Sequence, residues 1–402
     1  MGKIKTYKLG DIVNVLDYKR IPLSSTQRQN KKGIYPYYGA QGIIDYIDNY
    51  IFDGEYLLIA EDGENLKSQK QYVAQIAKGK YWVNNHAHIV ESNGLCDIRY
   101  VCYLLNRMDL SGYITGSAQP KLNQANLLKI EIKLPSLKEQ YKIAEFLHLF
   151  DDKIELNRRI NENLEQQAQA LFKSWFVDFE PFKNSKLVDS ELGKIPEGWK
   201  VVHADEVFDI NIGKTPPRKE SIWFSNSGSS NVQWVSISDM GNCGAFIGNS
   251  KEHLTQDAIN KFNIIIVPKD TILLSFKLTI GRVAIAQKEL TTNEAIARFY
   301  LPYSQYREFT YLTLKNYDYS KLGSTSSIAT AVNSKIIKGM KILLPINEHI
   351  KNFSTIVKPI FDLMESYSNE IDSLSQLRDT LLPRLMSGEL KITDIVDKSL
   401  NE

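Results

Sequence analysis

Cysteine is scarce in this chain: Cys96, Cys102 and Cys243 are three in 402 residues. Scattered and odd in number, they supply neither a disulfide framework nor a zinc-ligand cluster, so reduced thiols are expected. Long apolar runs are missing too. The opening MGKIKTYKLGDIVNVL lacks the roughly 7 to 15 residue apolar stretch of a secretory signal, and no run approaches the ~18 apolar residues that span a bilayer. A cytoplasmic protein is expected. Catalytic signatures are equally thin. Gly213-Lys214-Thr215 lacks the upstream glycine of a phosphate loop, and no GxGxxG offers a nucleotide or methyl-donor cradle. The Asp/Asn-Pro-Pro-aromatic tetrapeptide that serves methylation of a flipped adenine is absent, and Thr215-Pro216-Pro217-Arg218 does not replace it. His86 and His88, in NNHAH, have no adjacent Cys or Asp to complete a metal site. Glu61, Asp62 and Glu64 read as solvated turn residues. No catalytic residue, cofactor or metal is therefore expected, and any catalysis must come from a separate partner.

What is present is enough apolar sequence, 43% against 24% charged, to fold throughout, in a length that suits two ordinary domains. The net charge of +2 divides unevenly, as +4 over residues 1–137, −3 over 138–181, +5 over 182–345 and −4 over 346–402. Two mildly basic blocks alternate with two acidic ones. Local excess of cations, rather than the total, governs attraction to nucleic acid, but excesses this small are equally compatible with ordinary surface variation.

The order of elements occurs twice. YKLGDIVNVL leads through an irregular β-rich block to KLNQANLLKIEIKLPSLKEQYKIAEFL, and WKVVHADEVFDINIGKTP leads through another to AVNSKIIKGMKILLPINEHIKNFSTIV. Leu134-Pro135 and Leu344-Pro345 are matching hinges, where proline ends a strand and the apolar period changes from about two to about three and a half. After the first hinge the apolar positions Ile143, Leu147, Phe150, Ile154, Leu164, Ala168, Leu171 and Trp175 step by threes and fours, interrupted by Asn157 and Asn161. This spacing predicts a helix from about Glu139 to Trp175, stopped near Phe179 by Pro181. After the second, Ile350, Phe353, Val357, Ile360, Met364, Tyr367, Ile371, Leu374, Arg378, Leu381 and Leu385 do the same, with a kink or restart expected at Pro359 and at Pro383. The seams suit an antiparallel coiled coil, although each could instead be one face of a local bundle. The two asparagines either set its register or mark a wetter, unpaired stretch.

Within the blocks, Tyr56–Ala60, Val73–Ile76, His88–Val90, Ile130–Leu134, Gln233–Ile237, Phe262–Val267, Thr271–Ser275, Arg282–Ala286 and Ile342–Leu344 suggest strands, and Arg99–Arg107 and Tyr303–Tyr311 suggest helices. The fold class is α+β: two α/β blocks separated by a long antiparallel coiled coil, with a pseudo-two-fold internal repeat.

The chain resembles the specificity subunits of type I restriction-modification enzymes over essentially its whole length. The resemblance is carried by ENLEQQAQALFKSWFVDFEPF at Glu162–Phe182, SELGKIPEGWKV at Ser190–Val201 and LRDTLLPRLMSGEL at Leu377–Leu390. It implies target-recognition domains at 1–137 and 182–345, a central spacer helix at 138–181, a C-terminal helix at 346–390 and a tail at 391–402. Each domain would read half of a bipartite, asymmetric double-stranded DNA site. Two methyltransferase subunits and two restriction/translocase subunits would be the partners, with Trp175, Phe176, Leu381 and Leu385 near or supporting the docking region. Polar or aromatic loop residues at comparable places become candidate DNA contacts: Tyr35, Tyr37, Tyr38, Gln41, Lys67, Gln69, His86, Gln119 and Lys121 in the first block. In the second they are Lys214, Arg218, Ser236, Ser238, Lys277, Arg282, Asn293 and Lys335. The competing readings are a coiled-coil protein-interaction scaffold and, behind it, a metal-dependent nuclease.

Overall fold

The protein is described by a computed structural model covering residues 4–68, 72–116, 119–225, 231–322 and 332–392. Two compact units divide the chain, one of residues 1–152 with 374–402 and the other of residues 153–373.

In the first unit, strand Lys5–Lys8 pairs antiparallel with Glu131–Leu134, placing Lys5 opposite Leu134. Between them lies a six-stranded sheet in the order Val13–Val15, Ala87–Ser92, Phe52–Ala60, Ala74–Val83, Lys32–Gly39, Gly42–Ile47. Neighbours are antiparallel except Lys32–Gly39, which runs parallel to Ala74–Val83. Leu57–Ala60 are buried in succession, as expected where both faces of a strand are covered. Helix Ile98–Leu105 packs on this sheet. Its start is fixed by Asp97, whose carboxylate accepts from the amides of Arg99 and Tyr100.

The second unit also begins its block with a strand that pairs with the one before the long helix. Lys200–His203 pairs antiparallel with Lys341–Leu344, and Lys200 faces Leu344. A five-stranded sheet follows the sequence Asp209–Ile212, Ile296–Tyr300, Ile272–Ser275, Val283–Ala286, Phe246–Ile247. Here the last-named strand, Phe246–Ile247, runs parallel to Val283–Ala286, and the other neighbours are antiparallel. Helix Arg307–Lys315 packs on it. A four-stranded sheet of Phe224–Ser225, Glu252–Leu254, Val232–Val235 and Thr291–Thr292 is additional. The strand expected at Phe262–Val267 does not form: helix Gln256–Phe262, capped by Thr255, ends at Asn263 in the left-handed conformation. Val267 alone makes a bridge, to Leu290.

The two long helices run Leu137–Phe176 and Asn347–Ser387, and they pack together within each unit. In the first, Ile143 and Leu147 share a core with Leu382 and Leu385, and Arg378 meets Asp151 at 2.6 Å. In the second, Phe176 touches Phe353 with ring centroids 4.8 Å apart, while Asn157 donates to Glu370 at 2.9 Å. In both, rising numbers on one helix meet falling numbers on the other, so the pairing is antiparallel. Of the expected seam, Ile143, Leu147, Ile154, Ala168, Ile350, Phe353, Val357, Met364 and Leu385 are buried. Phe150, Leu164, Leu171, Trp175, Ile360, Tyr367, Ile371, Leu374 and Leu381 are half-buried. Phe172, Phe176, Phe361 and Leu382 are buried as well, because each helix covers a sheet block in addition to its partner helix, and its apolar face is wider than a two-helix seam.

Of the kink or restart expected at each proline, the restart does not occur: the second helix is continuous through Pro359 and Pro383. Pro359 and Pro383 are exposed, as are Thr355 and Asp379, whose carbonyls lose the amide partner. Water can satisfy those carbonyls, which removes much of the cost of an interior proline.

The central helix ends at a left-handed Phe179, followed by a short turn at Glu180–Phe182. Trp199 packs there against Phe182, with centroids 5.0 Å apart, and donates its indole N–H to His349 Nδ1 at 3.0 Å. This aromatic knot explains why tryptophan and phenylalanine recur across the junction sequence.

Candidate nucleic-acid interface

In the first block the chain leaves the central strand at Glu61 and turns through Asp62 and Gly63 into the short helix Asn65–Ser68. An isolated bridge joins Asp62 to Lys121, and the Glu61 carbonyl accepts the Leu122 amide at 2.8 Å. Close to Lys121, Gly116 has φ +83, and a Cβ there would lie 2.2 Å from the Gln119 carbonyl oxygen. Glycine is required at such a position.

These turns bring Gln41, Lys67, His86 and Lys121 together. His86 Nδ1 is 2.6 Å from Asp62, Lys121 is 3.2 Å from Glu61, Lys67 donates to the Gly116 carbonyl at 3.1 Å, and Gln41 donates to Asn65 at 3.4 Å. All four side chains are exposed, as is Gln119. Gln69 lies outside the described residues.

Beneath them sits a charged cluster that sequence reading missed. His88 is buried, with Nδ1 2.6 Å from Asp17 and Nε2 2.7 Å from the Leu122 carbonyl. Arg20 reaches Glu61 at 2.8 Å and Asp17 at 3.2 Å, and also donates to the carbonyls of Asn85 and Ala87. Burial alone would raise the Asp17 carboxyl, but its hydrogen bonds to His88 and the Ile89 amide, with the charges of His88 and Arg20, hold it below 3.8. Glu61 is likewise lowered from 4.5: burial opposes the shift, and Arg20, His88 and Lys121 overcome it. Asp17, Glu61 and His88 are ligand types within reach of one another. Their donor atoms are nevertheless engaged by Arg20, Lys121 and the backbone, so the group is a closed ion cluster supporting the 61–67 and 84–87 turns.

Of the three tyrosines, Tyr37 is buried and Tyr35 and Tyr38 are half-buried. Tyr37 is 1% exposed, and its hydroxyl accepts the Leu23 amide at 2.9 Å. Tyr35 leans on Tyr50 with centroids 5.1 Å apart. Tyr38 packs edge-on against Tyr81, and its hydroxyl is pushed up by burial and then by Tyr46.

In the second block, Gly213 makes a close approach, since a Cβ there would lie 2.0 Å from the Asn293 carbonyl oxygen. The loop that follows is bound to two strands: the Lys214 amide donates to Thr292, and the Trp234 indole donates to the Lys214 carbonyl at 3.2 Å. Arg218 lies over Trp234, 4.4 Å from the ring centroid, and pairs with Glu252 through both carboxylate oxygens. Ser236 caps helix Ile237–Met240 and bonds Asp239 at 2.6 Å. Arg282 donates to the Ile237 carbonyl at 2.7 Å, and the Asn293 amide donates to Val235 at 3.0 Å. These bonds draw the backbone around Lys214, Ser236, Ile237 and Asn293 together with the side chains of Arg218 and Arg282, and exposed Ser238 lies on the same short helix. Exposed Lys277 lies on the loop entering Arg282. Lys335 is not among them; it lies on helix Ser334–Lys338, next to His203.

A second omission is Leu278, completely exposed and at φ +60. Ser275 anchors the loop around it, donating from Oγ to the Thr279 carbonyl at 2.7 Å and accepting the Arg282 amide at 3.1 Å. A leucine on left-handed backbone is costly, and nothing in the alternation of the sequence announces it.

Residues 1–166 and 196–381 match the family described as the type I restriction modification DNA specificity domain. The chain belongs to the type I restriction-modification specificity subunits. This specificity subunit is 31% identical over 343 residues to the type I restriction enzyme MjaIX specificity subunit of Methanocaldococcus jannaschii, covering 81% of this chain and 76% of that protein. It is 29% identical over 332 residues to the HindI specificity subunit of Haemophilus influenzae, covering 67% and 71%. The crystal structure of the type I S subunit from M. genitalium shares the fold, with a TM-score of 0.53, 16% identity and 96% coverage of each chain. As a specificity subunit, the protein supplies sequence-specific DNA recognition and no catalysis, in association with modification and restriction subunits. Among the described residues no helix is long and apolar enough to cross a membrane.

Proposed function

We propose that residues 1–137 and 182–345 are two target-recognition domains that each read one half of a bipartite, asymmetric DNA site. The helices within 138–181 and 346–390 set the spacing between the halves, and 391–402 is a tail. The observation that supports this reading is that five of the six strands of the first sheet and the five of the second follow a corresponding order, with each block closed by the Lys5–Leu134 or Lys200–Leu344 pairing. Each closure feeds a helix, of 40 residues in one case and 41 in the other. Such helices are about 60 Å long at 1.5 Å per residue.

The surfaces carrying Gln41, Lys67, His86, Gln119 and Lys121, and Lys214, Arg218, Ser236, Ser238, Lys277, Arg282 and Asn293, are the proposed DNA faces. Cations on them hold phosphates and set register, and polar groups discriminate bases at ~1–3 kcal/mol for a good bidentate contact. Tyr35, Tyr37 and Tyr38 shape the first reader from within, and Lys335 is a peripheral phosphate contact.

Two methyltransferase and two restriction/translocase subunits complete the proposed assembly. Apolar side chains left exposed on the long helices, Tyr141, Leu149 and Leu377 in the first unit and Leu156, Ile356 and Leu363 in the second, support docking there. Buried Phe176 and Leu385, with half-buried Trp175 and Leu381, support that surface from below. Mapping methylated adenines across the genome of a host carrying the intact complex tests the proposal. Two fixed half-sites separated by an unspecified gap of constant length are expected; a single contiguous site, or gaps of varied length, would contradict it.

A further inference from the structure

A spacer can fix the distance between two readers only if each reader is prevented from swivelling on it. Apolar packing is non-directional and tolerates sliding, whereas hydrogen bonds between buried groups impose an angle. Each unit contains a directional bond of this kind, half-buried in the first and buried at Tyr311 in the second, made by a helix that packs on the sheet.

In the first unit, the Tyr103 hydroxyl, on helix Ile98–Leu105, donates to Asp151 of the central helix. The other Asp151 oxygen takes Arg378 of the C-terminal helix at 2.6 Å, and Arg378 continues to the Tyr72 hydroxyl at 3.0 Å. One chain of bonds thus joins the reader to both long helices. In the second unit, helix Arg307–Lys315 supplies Tyr311, fully buried, whose hydroxyl donates to Glu165 of the central helix at 2.7 Å. Lys315 reinforces the same carboxylate at 3.0 Å. Glu308, also on this helix, accepts from Ser354 of the C-terminal helix at 3.1 Å, and Arg307 reaches Asp362 at 3.3 Å. Again the reader helix is bonded to both long helices.

We propose that Tyr103 and Tyr311 are positioning residues whose bonds to Asp151 and Glu165 lock the angle of each reader on its helices, and so determine how strictly the spacing of the two half-sites is enforced. The inference rests on the two-reader function proposed above. Neither residue is among the proposed DNA contacts. Removing either hydroxyl leaves base contacts intact and releases orientation.

The test uses the complete methyltransferase complex with the wild-type subunit, Tyr103→Phe, Tyr311→Phe and Glu165→Gln. Duplexes carry both half-sites with the native gap or a gap one base pair shorter or longer, and methylation rate is measured on each. Each phenylalanine variant is expected to lower the native-to-altered rate ratio by roughly tenfold, equivalent to about 1.4 kcal/mol, while preserving the half-site sequences. Glu165→Gln keeps an acceptor for Tyr311 and is expected to retain the wild-type ratio. An unchanged ratio in Tyr103→Phe would overturn the proposal, as would equal loss at every gap in both variants. If the wild type itself ignores gap length, the two-reader function fails and this inference falls with it. Strict gaps in the wild type and both phenylalanine variants overturn the lock alone.

Discussion

Leu134 and Leu344 occupy the same place in two separate strand pairs, each opposite a lysine, Lys5 in one and Lys200 in the other, and each followed by a proline. The strand closes its block, the proline ends it, and the helix begins within three residues. Through this strand pair each block is tied to the root of a long helix.

Phe353 shows how tightly that root is packed. It is fully buried and touches Phe172, Trp175 and Phe176. Phe353→Ala is expected to cost about 3–5 kcal/mol, the range for truncating a buried phenylalanine, measured by chemical denaturation of the chain.

Asn157 is fully buried, and although its amide N–H donates to Glu370, its carbonyl oxygen has no hydrogen-bond partner among the described residues. Glu370 is also paired with Lys153 at 3.4 Å. Asn157→Leu should therefore leave the melting temperature unchanged or raise it, because an unsatisfied buried polar atom is removed. A fall of several degrees would show that the asparagine contributes stability rather than register.

Asp17 and Glu61 have carboxyls held below their ordinary values of 3.8 and 4.5. A depressed folded-state value means stability that is present above the unfolded pKa and lost as the pH falls through the folded one. The difference in melting temperature between wild type and Asp17→Asn should be full at pH 7 and shrink below about pH 4. A difference that stays constant down to pH 3 would contradict the ion-cluster description.

Leu278 combines full exposure with left-handed backbone, a conformation that costs a leucine roughly 1–2 kcal/mol and a glycine almost nothing. If the side chain serves as an apolar wedge against DNA, Leu278→Gly should hold or raise stability while reducing methylation about tenfold, a loss of ~1.4 kcal/mol. Recognition of the other half-site should be unchanged. Undiminished methylation would remove Leu278 from the interface.

The long helices were legible because a step of three and four residues survives any tertiary context, and the cores at Ile143, Leu147, Phe353 and Val357 follow it. Their second buried face, at Phe172 and Phe361, was not, because it depends on the sheet block each helix also covers. The apolar run at Phe262–Val267 looked like a strand, but local capping by Thr255 and Asn263 won. His88 and Asp17 lie 71 residues apart, and no spacing rule joins them. The candidate loops were found by composition; the burial of Tyr37 and the backbone of Leu278 are properties of the packed chain.

The proposed spacing function is tested most directly by deleting one facing heptad from each long helix and mapping methylation by the resulting complex. About 10 Å of helix is removed, close to three base-pair steps, together with a rotation. Methylation at the native gap should be lost, and any activity that returns should occur at a shorter gap with both half-sites intact. Continued methylation at the native gap would contradict the spacer.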